Sequence, residues 1–206
     1  MTARTLAVVT AGLSQPSSTR LLADRLAAAT EHALRDLGVS TDVQIVELRE
    51  VAHDLTDTLL TGFPSPGLGA AIDTVVRADG LIAVSPIFTA SYSGLFKTFF
   101  DVLDKEALVD KPVLVAATAG TARHSLALDH ALRPLFAYLR ASVVPTGVFA
   151  AAEDWGTGGE ATSRALGERI ERAGGELARA VAAREQQAPA DPYGTPTPFE
   201  QLLAGR

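Results

Sequence analysis

Leu81-Ile-Ala-Val-Ser-Pro-Ile-Phe-Thr-Ala-Ser-Tyr-Ser-Gly-Leu-Phe-Lys97 decides the fold. Leu81 to Val84 is a short apolar run, as a strand buried on both faces requires. Pro86 restricts the backbone directly after it, and Ser93-Gly94 opens a helix that runs to about Leu103. The pattern recurs on either side. Upstream, Leu6 to Thr10 is a first strand, ended by Ala11-Gly12, and residues 19–37 carry Leu21, Leu22, Leu26, Ala29, Ala33 and Leu37 at helical spacing. Gly38 caps that helix, Val43 to Leu48 alternates as a second strand, and residues 67–78 are helical. Downstream, Pro112 to Thr118 is a fourth strand, residues 125–140 a helix, Val143 to Ala150 a fifth strand and residues 160–184 a last amphipathic helix. Parallel crossovers need connecting helices, so five strands alternating with five helices predict a parallel sheet covered on both faces.

Right-handed crossovers leave few topologies for such a sheet. At 206 residues the favoured architecture is α/β, a flavodoxin-like three-layer sandwich with a five-stranded parallel sheet in order 2-1-3-4-5. Residues 1–185 form one domain in this reading. Residues 186–206 make a Pro-rich tail, with Pro189, Pro192, Pro196 and Pro198, that reads as a disordered end or as an arm docking on a neighbouring subunit.

Composition narrows the function. Apolar residues make up 47% and charged residues 20%, enough for a sizeable core. A net charge of −6 argues against a nucleic-acid-binding surface, which concentrates Lys and Arg on one face. There is no cysteine, so disulfides, thiolate nucleophiles and cysteine-held metals are excluded, and the four histidines lack zinc-site spacing, so no metal site is expected. The first apolar run is too short for a signal peptide or a membrane span, which predicts a cytoplasmic chain with no membrane partner.

In an open α/β sheet, ligands bind beyond the carboxyl ends of the strands where the strand order reverses. Three loops fall there. Gly12-Leu-Ser-Gln-Pro-Ser-Ser-Thr-Arg20 offers hydroxyls at Ser14, Ser17, Ser18 and Thr19 and a guanidinium at Arg20, at the start of a helix. Hydroxyls and free N–H groups at a helix start suit a phosphate dianion, and Arg20 adds a bidentate partner. The alternative is that Ser17 or Ser18 simply caps the helix. The pattern is neither GxGxxG nor GxxxxGK[ST]. Ser85 to Gly94 can present main-chain groups to the edge of a planar heterocycle, with Ile87, Phe88 and Tyr92 for its face; the alternative is an ordinary strand-to-helix turn with its aromatics in the core. Thr118-Ala-Gly-Thr-Ala-Arg-His124 lets the backbone approach closely at Gly120, with Thr118 and Thr121 as polar partners. Arg123 and His124 read as solvated surface or as partners of an anionic nicotinamide cofactor, and Trp155, the only tryptophan, reads as a packing residue or as a cover over the bound ligand.

Ser85 to Lys97, with Ala117-Thr-Ala-Gly-Thr121 and Leu128-Asp-His-Ala-Leu-Arg-Pro134, resembles the NAD(P)H-dependent FMN reductases, closest to the reductase components of two-component alkanesulfonate-type monooxygenases. The resemblance covers roughly residues 4–152, most tightly 80–150. It implies reduction of FMN by NADPH or NADH, delivery of reduced flavin to a partner flavin-dependent monooxygenase, and assembly as a homodimer or homotetramer. Carried over by position, Ser14, Gln15, Ser17, Ser18, Thr19 and Arg20 would hold the phosphate. Pro86, Ile87, Phe88, Thr89, Ser91, Tyr92 and Ser93 would line the isoalloxazine, and Thr118, Ala119, Gly120 and Thr121 would close the other side. Phe88 replaces the family's usual tyrosine, and His130 stands where the alkanesulfonate group has a tyrosine linked to a π-helical turn at its tetramer interface. Pro134 is expected to disturb the helix beside it.

No side chain is assigned as catalytic, because a flavin carries the hydride chemistry itself. The competing readings are a flavodoxin-like quinone or azo reductase, a flavodoxin-type one-electron carrier, and a non-catalytic binding domain.

Overall fold

The computed structural model describes residues 3–156 and 159–185. The Pro-rich tail expected over 186–206 lies outside them.

Five strand positions form the parallel sheet. In chain order they are β1 (Arg4–Thr10), β2 (Thr41–Glu47), β3 (Gly80–Phe88), β5 (Pro112–Ala119), and the paired segments β6 (Ser142–Val143) and β7 (Val148–Ala151), with β4 (Ser91–Tyr92) hairpinned onto β3. The order β2-β1-β3-β5-β6, with β7 also paired to β5, is the expected 2-1-3-4-5 arrangement. Strand period sorts the core into two layers. Leu6, Val8, Ile82, Val84, Leu114 and Ala116 face α1 (Ser18–Asp36) and α6 (Glu160–Ala183). Ala7, Val9, Leu81, Ala83, Val113 and Val115 face α3 (Pro66–Arg77), α4 (Gly94–Asp101) and α5 (Arg133–Tyr138).

The two layers are built differently. α1 and α6 touch backbone to backbone: a Cβ at Gly174 would lie 3.0 Å from the carbonyl carbon of Ala29. The opposite layer is aromatic. Phe96, Phe100 and Phe136 pack with ring centroids 4.8 and 4.9 Å apart around Phe100.

Four elements depart from the sequence expectation. The fifth strand is cut in two at Pro145, which has no N–H for the ladder, and the freed carbonyls of Val144 and Pro145 accept from Arg133. The helix expected over 125–140 is a 3-10 turn at Ala122–His124, a π turn at Leu128–Leu132 and then α5. Pro134 lacks the N–H an α turn would direct at His130, and the wider π turn relieves the ring's clash with that carbonyl. The π turn forms with His130 at its centre. An additional helix, α2 (Ala52–Thr61), buries only Leu55 and Thr58, too few apolar positions to give a periodic signal. Finally, β3 continues through Phe88 and turns back at Thr89 and Ala90, with φ of 48° and 72°. Among the described residues, no helix is long and apolar enough to cross a membrane.

Lys111, only 2% exposed just before β5, donates to the carbonyls of Val76 and Ala78 and so ties α3 to the sheet's lower edge. Burial pushes its pKa down to about 8, the nearby Arg184 charge adds to this, and Asp79 opposes it. A lowered lysine pKa penalises the protonated fold. The penalty is complete below pH 8 and is relieved as pH rises towards 10.5, because the unfolded chain then holds the extra proton. Stability is therefore expected to rise across that window by roughly 1–3 kcal/mol relative to Lys111→Met. Urea midpoints of both proteins measured at the two ends of the window check this; parallel curves would contradict it.

Candidate functional site

β1, β3 and β5 are adjacent, so their carboxyl ends bring the three loops to one edge of the sheet. Gly12 lets the chain turn sharply out of β1: a Cβ there would sit 2.1 Å from the Ser17 Oγ. Ser17 is the N-cap of α1, its hydroxyl accepting from the Arg20 N–H at 3.2 Å. The N–H groups of Ser18 and Thr19 begin the helix and have no intrahelical partner, and no acidic residue occupies the first turn. Thr19 and Thr118 are both buried and share a hydrogen bond of 2.8 Å between their hydroxyls. That bond joins the first loop to the third.

The second loop is the hairpin of β3 and β4. Ser85 pins its base, accepting from the Ser93 N–H at 3.0 Å and donating to the Pro86 carbonyl at 2.9 Å. Two successive non-glycine residues with positive φ at its tip are a strained arrangement. The hairpin leaves Phe88 47% exposed at its end, paired with Ser91, while Tyr92 folds back against Phe96.

The three loops enclose a recess of about 460 Å³. Of the residues expected to bind, Ser14, Ser18, Thr19, Pro86, Ile87, Phe88, Thr118, Ala119 and Gly120 line it. The others do not, and each has a local reason. Ser17 and Ser93 spend their hydroxyls as N-caps of α1 and α4. Gln15, with its amide oriented to satisfy both groups, accepts from the Arg49 guanidinium. Arg20 turns to Asp24, at 2.7 Å, and to Glu47, which together hold its pKa above the ordinary value, the Asp24 hydrogen bond most of all. Thr89 and Ser91 belong to the hairpin tip, Tyr92 packs, and Thr121 caps the 3-10 turn that follows it. Arg123 is exposed and does not line the recess either.

Sequence reasoning missed Leu13 and Ala152 and favoured packing for Trp155; the three complete the wall. Trp155 is held there by the turn after β7. Asp154, largely buried, accepts from the Ala151 N–H at 2.8 Å, Gly156 takes φ of 113°, and the Arg25 guanidinium lies 5.1 Å from the Trp155 ring centre. The signal was present in position alone, since Trp155 follows the end of the fifth strand. Lys97, on α4, pairs with Asp101 as their spacing implies.

The recess thus has two chemical ends. Hydroxyls and helix-start N–H groups at Ser14, Ser18, Thr19 and Thr118 suit an anion, and Pro86, Ile87, Ala119 and Trp155 offer apolar surface to a planar ring.

Residues 4–156 match the family model described as NADPH-dependent FMN reductase. An FMN reductase (NADPH) of Pseudomonas aeruginosa is 41% identical over 149 residues, covering 71% of this chain and 76% of that one. The NADH-dependent FMN reductase SfnE of Pseudomonas putida is 40% identical over 68% of this chain and 72% of that one. Among solved structures, an oxidoreductase from Corynebacterium diphtheriae superposes with a TM-score of 0.85 at 48% identity, covering 89% of this chain and 99% of that one.

Proposed function

This chain belongs to the NADPH-dependent FMN reductase family, oxidoreductases acting with FMN and NAD(P)H, and on that premise we propose that the recess between the three loops is its flavin site. The observation that carries the reading is the convergence of Ser14, Ser18, Pro86, Thr118 and Gly120 on one cavity, with Thr19 and Thr118 hydrogen-bonded across it. The donor set fits the group. A phosphate dianion needs N–H and O–H donors, which the start of α1 supplies with no acidic side chain in its first turn. A volume of about 460 Å³ lies within the roughly 300–1,000 Å³ of cofactor pockets.

Bound FMN supplies the redox chemistry, as acceptor of hydride from the nicotinamide. The chain's part is to hold and orient. Ser14, Ser18 and Thr19 fix the phosphate end. The hairpin, stiffened at Ser85, sets one edge of the ring, and Ala119-Gly120 brings the main chain close on the other. Trp155 closes the side towards α6. No general acid or base is assigned, in keeping with a reaction in which hydride moves between two cofactors.

The same reading has the reduced flavin leave for a partner flavin-dependent monooxygenase. Leu13 and Phe88, 56% and 47% exposed at the rim, support a site that does not seal its ligand. Assembly as a homodimer or homotetramer is part of the proposal, supported by the exposed Tyr138 and Leu126 on either side of the π turn, and a cytoplasmic location is proposed with it.

Anaerobic addition of NADPH or NADH to the protein with FMN tests the reaction: flavin absorbance is expected to bleach, and an unbleached flavin with both donors would refute it. Binding has its own reporter. FMN is expected to quench most of the fluorescence of Trp155, the chain's single tryptophan, because the ring stacks or touches at that wall. Saturating FMN with undiminished emission would remove Trp155 from the site.

A further inference from the structure

Two cations lie beside the phosphate loop, and neither is free. Arg20 follows Thr19 in the first turn of α1, and Arg49 reaches Gln15 within the loop itself. Both end on one carboxylate. Glu47, the last residue of β2, gives Oε1 to the Arg20 Nη1 and Oε2 to the Arg49 Nε at 2.9 Å. Its side chain is only 19% exposed, so this is a held bridge and not a chance surface contact. Asp24 takes the Arg20 Nε from the other side at 2.7 Å. Two guanidinium groups and two carboxylates leave the cluster without net charge, at the one place where a dianion would draw on the arginines.

We propose that Glu47 acts as an internal competitor for the flavin phosphate. It occupies Arg20 and Arg49, holds them back from the anion and so keeps FMN affinity low enough for the flavin to leave. The inference rests on the reading that Ser14, Ser18 and Thr19 receive the phosphate. Its physical basis is simple. A carboxylate repels a nearby dianion, and a guanidinium paired with carboxylates offers that dianion little net charge and is held in the position they set, although N–H donors remain on it. A reductase that hands on its flavin gains from weak retention, and uniform tight binding would hold the product on the enzyme.

The test compares FMN with riboflavin, which lacks the phosphate, by equilibrium dialysis. Glu47→Gln keeps the size and one acceptor and removes the charge. It is expected to tighten FMN about tenfold and to leave riboflavin within about twofold. KM for FMN should fall with it, kcat should not rise, and the gain should shrink as salt is raised. Glu47→Asp, which retains the charge, should restore weak FMN binding. Asp24→Asn, on the exposed flank of the same guanidinium, does not depend on the fold tolerating a change at Glu47. It should tighten FMN about threefold and riboflavin not at all.

Glu47→Gln that melts like the parent and binds FMN no more tightly overturns the proposal, as does an unchanged Asp24→Asn if Glu47→Gln does not fold. Failure of the underlying reading looks different: the parent protein would then bind FMN and riboflavin with equal affinity.

Discussion

Ser18→Asp is expected to raise the Kd for FMN by about two orders of magnitude while leaving the melting temperature unchanged or slightly higher. The two effects have opposite signs for one reason. Ser18 is the first residue of α1 beyond the Ser17 cap, and the first turn carries no acidic side chain. An aspartate there interacts favourably with the positive end of the helix, typically by about 0.3–1 kcal/mol. The same carboxylate would line the recess beside Ser14 and Thr19, against the incoming phosphate. Repulsion between it and a dianion in a partly dehydrated cleft is ample for a loss of roughly 3 kcal/mol. Riboflavin should lose far less. Calorimetric titration with both flavins, alongside thermal melts, checks the pair of outcomes. A stabilised variant that still binds FMN normally would show that the anion end of the recess lies elsewhere.

The second large effect is on the fold. Phe96→Ala should cost about 3–5 kcal/mol, the range for emptying a buried aromatic site. Phe96 is 0% exposed, contacts Phe100 at 4.8 Å and Phe136 at 6.3 Å between ring centres, and takes Tyr92 on its outer side at 5.9 Å. Through Tyr92 its ring braces β4, beside the point where its own N–H donates to the capping Ser93 Oγ, so the second loop leans on this side chain. At this chain length the melting temperature should fall by roughly 6–20 °C. Phe96→Leu, which leaves a smaller void, should cost less than half as much. A loss under about 1 kcal/mol for the alanine variant would mean that the aromatic layer collapses to fill the space.

The sheet and its order were legible because buried parallel strands are short apolar runs, and Leu6 to Thr10, Leu81 to Val84 and Pro112 to Thr118 are such runs. The loops were legible for a related reason: sheet order fixes which strand ends are neighbours. What escaped the sequence is what depends on particular partners. Thr89-Ala90 carries no Asn-Gly or Gly signal, so the hairpin that shapes the second loop was invisible, its positive φ values being imposed by the pairing of Ile87 with Tyr92 and Phe88 with Ser91. Arg20 looked like a phosphate ligand because residues 20 and 47 are distant in sequence. Only the parallel pairing of β1 with β2 brings Glu47 beside the loop to claim the guanidinium. The hydroxyl-rich loop likewise hid a division of labour, Ser17 capping the helix while Ser14 and Ser18 face the recess. Trp155 was read as packing because its neighbour Arg25 and the turn locked by Asp154 cannot be inferred from spacing.

The most decisive measurement is a crystal structure of the protein with FMN. The phosphate is expected within hydrogen-bonding distance of Ser14, Ser18 or Thr19, with the ring between Pro86–Phe88 and Thr118–Gly120 and Trp155 at its side. Flavin bound away from these residues, with side chains filling the recess between them, would contradict that arrangement and with it the assignment of the three loops as the flavin site.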